Sequence, residues 1–90
     1  MSKITVKKST EEELKVLGIY KWSTWTCEVS RFNWEYSDEE VCYFFKGDVV
    51  IETNFETVKI AAGDLVTFPK GLKCIWDIKK PVNKVYKFNY

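Results

Sequence analysis

Glu40 and Cys42 stand two residues apart in one apolar stretch, Cys74 lies in a second, and Trp34, Tyr36, Trp76 and Tyr86 accompany them. If Glu40 and the two thiols converge, they form a soft metal or redox site. A carboxylate facing an aromatic, partly dry cavity can also serve as acid, base or ligand anchor. The four aromatic side chains can stack a planar or sugar-like molecule. The same residues have a plainer reading: buried cysteines usually act as small hydrophobes, and a small barrel fills its interior with its own side chains. The chain has no histidine. That removes a His-based metal site, a Ser-His-Asp triad and a His proton shuttle. Any catalysis then falls to carboxylate, thiol, lysine, tyrosine or an imported cofactor, with Glu40, Tyr36 and Cys74 as the candidates.

Ninety residues fit one domain, 1–90. With 14 basic and 13 acidic residues the net charge is +1, so no strong field draws in nucleic acid or an anionic membrane. Cys27, Cys42 and Cys74 form no CxxC pair, and an odd number of cysteines without a signal-like N-terminus points to a reducing, cytoplasmic setting. No apolar run approaches the ~18 residues of a membrane span.

The elements that must position these groups are mostly strands. Residues 3–7 read as a first strand. Thr10 and Glu13 have capping-box spacing, Glu11, Glu12 and Glu13 suit a solvated helix start, and Gly18 is a stop; together they predict one short helix over 10–17. From Trp22 the period is two, with strand signals around Trp25–Val29 and Phe32–Tyr36. Val41–Phe45 and Val49–Ile51 are expected to form a hairpin about Lys46-Gly47-Asp48. Thr57–Ile60 and Leu65–Phe68 are joined by a turn at Gly63-Asp64. Leu72, Cys74, Trp76 and Ile78 share one face, and Tyr86, Phe88 and Tyr90 share a face of a last strand after Pro81. Cys27 is expected at an edge or the surface. Eight or so short strands with frequent turns predict an all-β antiparallel sandwich or barrel.

The segment Gly63-x5-Pro69-x-Gly71-x2-Cys74-x3-Ile78 resembles the second signature of the cupin superfamily, with Cys74 where that signature has a metal-binding His. Glu40-x6-Gly47 resembles the end of the first signature, whose two histidines fall near Trp34 and Tyr36. With Trp22-x2-Trp25 and the run Cys42–Gly47, residues 18–80 look like a small single-domain member of the ureidoglycine aminohydrolase-type cupin branch. The resemblance implies a cupin-type β-barrel, or jelly roll, with its pocket at the barrel mouth. It also implies that Glu40 is the one remaining position of a metal set of three His-type ligands and a Glu, too few to hold a transition metal.

The expected function is therefore a metal-free cupin, with no cofactor, that binds a small polar organic molecule through Trp34, Tyr36, Glu40, Cys42, Cys74, Trp76 and Tyr86, with Glu40 as the anchor. The alternatives are a small enzyme using Glu40 with Tyr36 or Cys74, with or without an added metal, and an interaction module. Val41, Tyr43 and Phe45 place apolar groups on the outer face opposite Glu40, Cys42 and Phe44, which predicts a homodimer that covers them. A five-stranded oligonucleotide-binding barrel accounts poorly for this many strands.

Overall fold

A computed structural model describes residues 3–88. Its elements are β1 (Thr5–Lys8), α1 (Glu11–Leu17), a 3-10 turn (Ile19–Lys21), β2 (Ser23–Cys27), β3 (Ser30–Glu35), β4 (Glu40–Glu52), β5 (Thr57–Ala61), β6 (Asp64–Phe68) and β7 (Lys73–Phe88). All strand pairs are antiparallel. No described helix is long and apolar enough to cross a membrane.

Two long strands organise the barrel. The first half of β4 pairs with β6 and with the second half of β7, while its second half pairs with β5 and with the first half of β7. β3 lies beside the first half of β7 and β2 beside the second. β4 and β7 thus run through both sheets of a jelly roll and bend between them. The facing side chains of Cys42, Phe44, Val49, Ile51, Ile60, Val66, Phe68, Trp76 and Ile78 form the core between the sheets.

The bend explains where the expected hairpin went. Lys46-Gly47-Asp48 does not reverse the chain; it is an irregular stretch within β4, with register shifts from Phe44 to Val49 against β7. Gly47 has φ 126°, and a Cβ there would lie 2.8 Å from Val82 Cγ2 and 3.0 Å from its Cα. The glycine lets β7 pass close against β4, and Pro81 sits in the same irregular stretch, where a strand tolerates a missing N–H. Pro81 therefore does not begin a new strand. Among the described residues seven strands stand where eight or so short ones were expected, because two pairs of apolar runs are each a single bent strand.

The helix forms as its caps dictate. Glu13 N donates to Thr10 Oγ1 at 3.2 Å, Thr10 N donates to Glu13 Oε1 at 3.0 Å, and Gly18, at φ 72°, closes the helix by donating to Leu14 and Lys15 carbonyls. Leu14 and Ile19 then pack on Val85, with Leu17, Trp22, Tyr43 and Leu65 around them. The expected homodimer rests on Val41, Tyr43 and Phe45 being open; here the helix side chain Leu14, with Ile19, packs beside Tyr43, which is partly buried, and Val41 is buried. Phe45 is the one large apolar side chain of β4 that stays open among the described residues, stacked with the exposed Tyr20. Tyr90 lies outside the described residues.

Replacing Gly47 by Ala should destabilise the fold by about 2–4 kcal/mol, combining positive-φ strain with a clash against β7 backbone. Urea denaturation checks this; an unchanged midpoint would mean that the close crossing does not constrain the fold.

Candidate functional site

The inward face of the bent strands carries the site. Glu40 opens β4 and shares its face with Cys42 and Phe44. Opposite them on β7 stand Phe88, Tyr86 and Lys84, in register Glu40↔Phe88, Cys42↔Tyr86 and Phe44↔Lys84. Glu40 and Lys84 are therefore diagonal, four residues apart along the strands, a gap of ~13 Å at ~3.3 Å per residue. Their side chains close it by meeting end to end inside the barrel. Lys84 Nζ donates to Glu40 Oε2 at 3.0 Å, with both residues buried (4% and 3% exposed).

Aromatic rings surround the ammonium. Its nitrogen is 4.5 Å from the Trp76 ring centroid, 5.0 Å from Trp25, and 5.8 Å from both Phe44 and Tyr86. Desolvated cation–π contacts of this kind contribute about 2 kcal/mol or more. Trp76 is the hub: it stacks on Phe32 with centroids 6.1 Å apart and meets Trp25 edge-on at 5.7 Å. Tyr36 stacks on Phe68 at 4.9 Å.

Above the ion pair lies a cavity of about 200 Å³, lined by Trp25, Phe32, Trp34, Tyr36, Glu40, Trp76, Lys84, Tyr86 and Phe88. The buried Tyr36, Glu40, Trp76 and Lys84 form its floor, and the exposed Trp34 and Phe88 its rim. Its volume is below the ~300 Å³ at the low end of drug-sized ligand sites. Two buried polar atoms there, Glu40 Oε1 and Trp76 Nε1, make no hydrogen bond of ordinary length among the described residues, although the Tyr36 phenol lies close enough to feel the carboxylate and the Cys74 thiol the indole.

Of the residues expected to line a pocket, Trp34, Tyr36, Glu40, Trp76 and Tyr86 come together here; Cys42 and Cys74 do not. Cys42 is fully buried in the core, and its Sγ donates to the Val66 carbonyl at 3.7 Å. Cys74 borders a separate, shallow groove of about 590 Å³ on the β3 side, with Trp34 shared between the two. Among the described residues no group of three or more metal-type ligands assembles. The residues do not fit a cupin metal: the Glu40 carboxylate already holds a cation, the Lys84 ammonium, and where the resemblance places histidines stand the rings of Trp34 and Tyr36 and the thiol of Cys74, which lies outside this cavity. Cys27 lies on the edge strand β2, as expected, and is half-buried there.

Protonation narrows the chemistry further. Burial first, and then the adjacent Glu40 charge, hold the Tyr36 phenol far above its usual range. Burial likewise raises the Cys42 thiol. Cys74 is pushed up to about 11 by burial, partly offset by the nearby Trp76 indole. At neutral pH all three are uncharged, so neither Tyr36 nor Cys74 is poised as base or nucleophile. The lysine, together with Trp25, Phe32 and Phe88, was not among the expected site residues. Its signal was alternation: with β7 read as one strand, Lys84 falls on the inward parity of Cys74, Trp76, Ile78, Val82 and Tyr86.

Two measurements follow from the thiols. Cys27 should react with a thiol reagent at neutral pH at least about tenfold faster than Cys42 or Cys74, as rates follow exposure and thiolate fraction; equal rates would contradict the burial. A thiol whose folded pKa is raised loses its stabilising effect as pH climbs, so stability should fall from about pH 9 to about 11, and a flat profile there would argue against it.

The comparisons with known proteins agree with this architecture. The EutQ-like cupin domain matches residues 14–86. A DUF861 family protein from Thermotoga maritima, known from its crystal structure, is 44% identical, with a TM-score of 0.94 over 96% of this chain and 99% of that one. The Clostridium difficile EutQ protein shares the fold at 22% identity and a TM-score of 0.66, over 72% of this chain and 52% of its own, so the match spans about half of that protein. No curated protein matches. The matched span takes in β2 to β6 and nearly all of β7, the strands that build the cavity and its ion pair, and the chain belongs to the EutQ-like cupin family.

Proposed function

We propose that this cupin binds a small, polar, largely planar molecule in the aromatic cavity without a metal ion. The observation that carries the reading is the pair of unpartnered polar atoms on the cavity floor, Glu40 Oε1 and Trp76 Nε1. An unsatisfied buried polar group costs about 1–3 kcal/mol. A ligand that donates to the carboxylate oxygen and accepts from the indole would recover that cost, while its flat face packs between the rings. The cavity volume calls for something smaller than a drug-sized molecule.

Charge supports a neutral ligand. Glu40 and Lys84 neutralise each other, so a bare carboxylate entering the site would meet Glu40 as a like charge with its counter-ion already engaged. The resemblance to the ureidoglycine aminohydrolase-type branch adds no reaction to this reading, because that branch's chemistry is metal-dependent and Glu40 is committed to Lys84. Tyr36 and Cys74, held neutral by burial, give no support to an enzyme built on them.

A thermal-shift screen of small amides, alcohols and heterocycles tests the proposal, since a ligand at a hundredfold its Kd stabilises by about 2.7 kcal/mol. Trp34→Ala, at the 49% exposed rim, should alter stability by only about 0.5 kcal/mol yet abolish the ligand shift. A shift that survives both Trp34→Ala and Tyr86→Ala would locate binding elsewhere and contradict the reading.

A further inference from the structure

Lys84 is a primary amine at the floor of a cavity open to small molecules, and nothing above uses its nucleophilicity. Buried lysines beside a proton acceptor are the groups that condense with carbonyl compounds. Three features converge on Lys84. Lys84 is one of the residues that line the cavity. A carboxylate oxygen lies 3.0 Å from Nζ to take its proton, and the second oxygen of that carboxylate is buried with no hydrogen bond of ordinary length among the described residues. Rings of Trp76, Trp25, Phe44 and Tyr86 surround the nitrogen.

The rings and Glu40 stabilise the ammonium, and by itself that opposes nucleophilic attack. The product of condensation, however, is also a cation at the same nitrogen. A protonated imine keeps both the ion pair with Glu40 and the cation–π contacts, so the surroundings that favour the reactant favour the product as well. Only the passage between them requires a neutral amine, and Glu40 is placed to allow it. The aromatic walls limit water, which would otherwise hydrolyse the imine.

From this geometry we infer that Lys84 condenses reversibly with a small aldehyde or ketone bound in the cavity, with Glu40 as the proton carrier. The inference rests on the cavity being a binding site. Glu40 accepts a proton from the Lys84 ammonium, and the freed amine forms a C–N bond to the carbonyl carbon as the C=O pair moves to oxygen. Glu40 returns its proton to that oxygen, accepts a second from nitrogen and delivers it to the hydroxyl, which leaves as water. The balance is one ammonium and one carbonyl compound giving one protonated imine and one water, with no oxidant or reductant consumed.

The test uses the native protein, propanal as probe and sodium cyanoborohydride as hydride donor to fix the C–N bond, followed over time by peptide mass mapping. Lys84 should acquire the propyl group faster than the exposed Lys73, Lys79 and Lys80 by about tenfold or more, below the full effect of a positioned general base. Lys84→Arg, which keeps a cation beside Glu40, should remove the fast phase and leave the slow ones. Labelling of Lys84 no faster than the exposed lysines, or a fast phase that persists in Lys84→Arg, would overturn the inference. The thermal-shift screen reads binding separately: a ligand shift alongside slow Lys84 labelling defeats the imine alone, whereas no ligand shift and slow labelling defeat both readings.

Discussion

The Glu40–Lys84 ion pair is the interaction around which the rest of the barrel interior is arranged. Moving two charges out of water costs several kcal/mol per ion even after relaxation. The cost is offset only when the pair is short and the remaining valences find partners. Here the contact is 3.0 Å and four rings face the ammonium. Those rings must come from β2, β4 and β7 at once, and the diagonal reach from Lys84 to Glu40 requires β4 and β7 to run side by side along their length. The bend at Gly47 and Pro81 and the aromatic composition of the interior both serve this one contact.

The pair also bears on what kind of cupin this is. A barrel mouth with one carboxylate and several imidazoles binds a divalent cation; this mouth has one carboxylate and a tethered monovalent cation. The ammonium cannot exchange, and it presents N–H donors where a metal presents open coordination positions. The site's polarity is thereby fixed by the sequence instead of by metal supply. What stays unsatisfied is one carboxylate oxygen and one indole N–H, which define the polar pattern a ligand has to match.

Much of this was legible in the sequence, for local reasons. Thr10, Glu13 and Gly18 define the helix through caps that need no tertiary context. The turn at Gly63, the inward alternation of Leu72, Cys74, Trp76 and Ile78, and the cupin-like spacing around Gly71 likewise hold. Glu40, Trp34, Tyr36, Trp76 and Tyr86 do share one cavity. The missed strand continuity has one physical source. Gly47 and Pro81 are turn residues in isolation but bend residues when two long strands cross, and only the pairing distinguishes these cases. Treating Pro81 as a break hid the continuous parity of β7, and with it the inward position of Lys84. A lysine on an inward face is also discounted by its usual solvation. Cys42 and Cys74 were placed on the correct face but not at the correct depth: one lies in the core and the other borders the groove beyond the cavity. That the helix packs back beside Tyr43 on the outer face of β4 has no local signal either.

The most direct measurement is a double-mutant cycle on the pair, with Glu40→Gln, Lys84→Met and the double variant compared by denaturant unfolding at neutral pH. Each single change leaves one buried charge without its partner and should cost about 3–5 kcal/mol. The double variant should cost clearly less than the sum, with a coupling of about 2–3 kcal/mol. Additive losses, or single variants as stable as the parent, would show that Glu40 and Lys84 do not act on each other and would contradict the account.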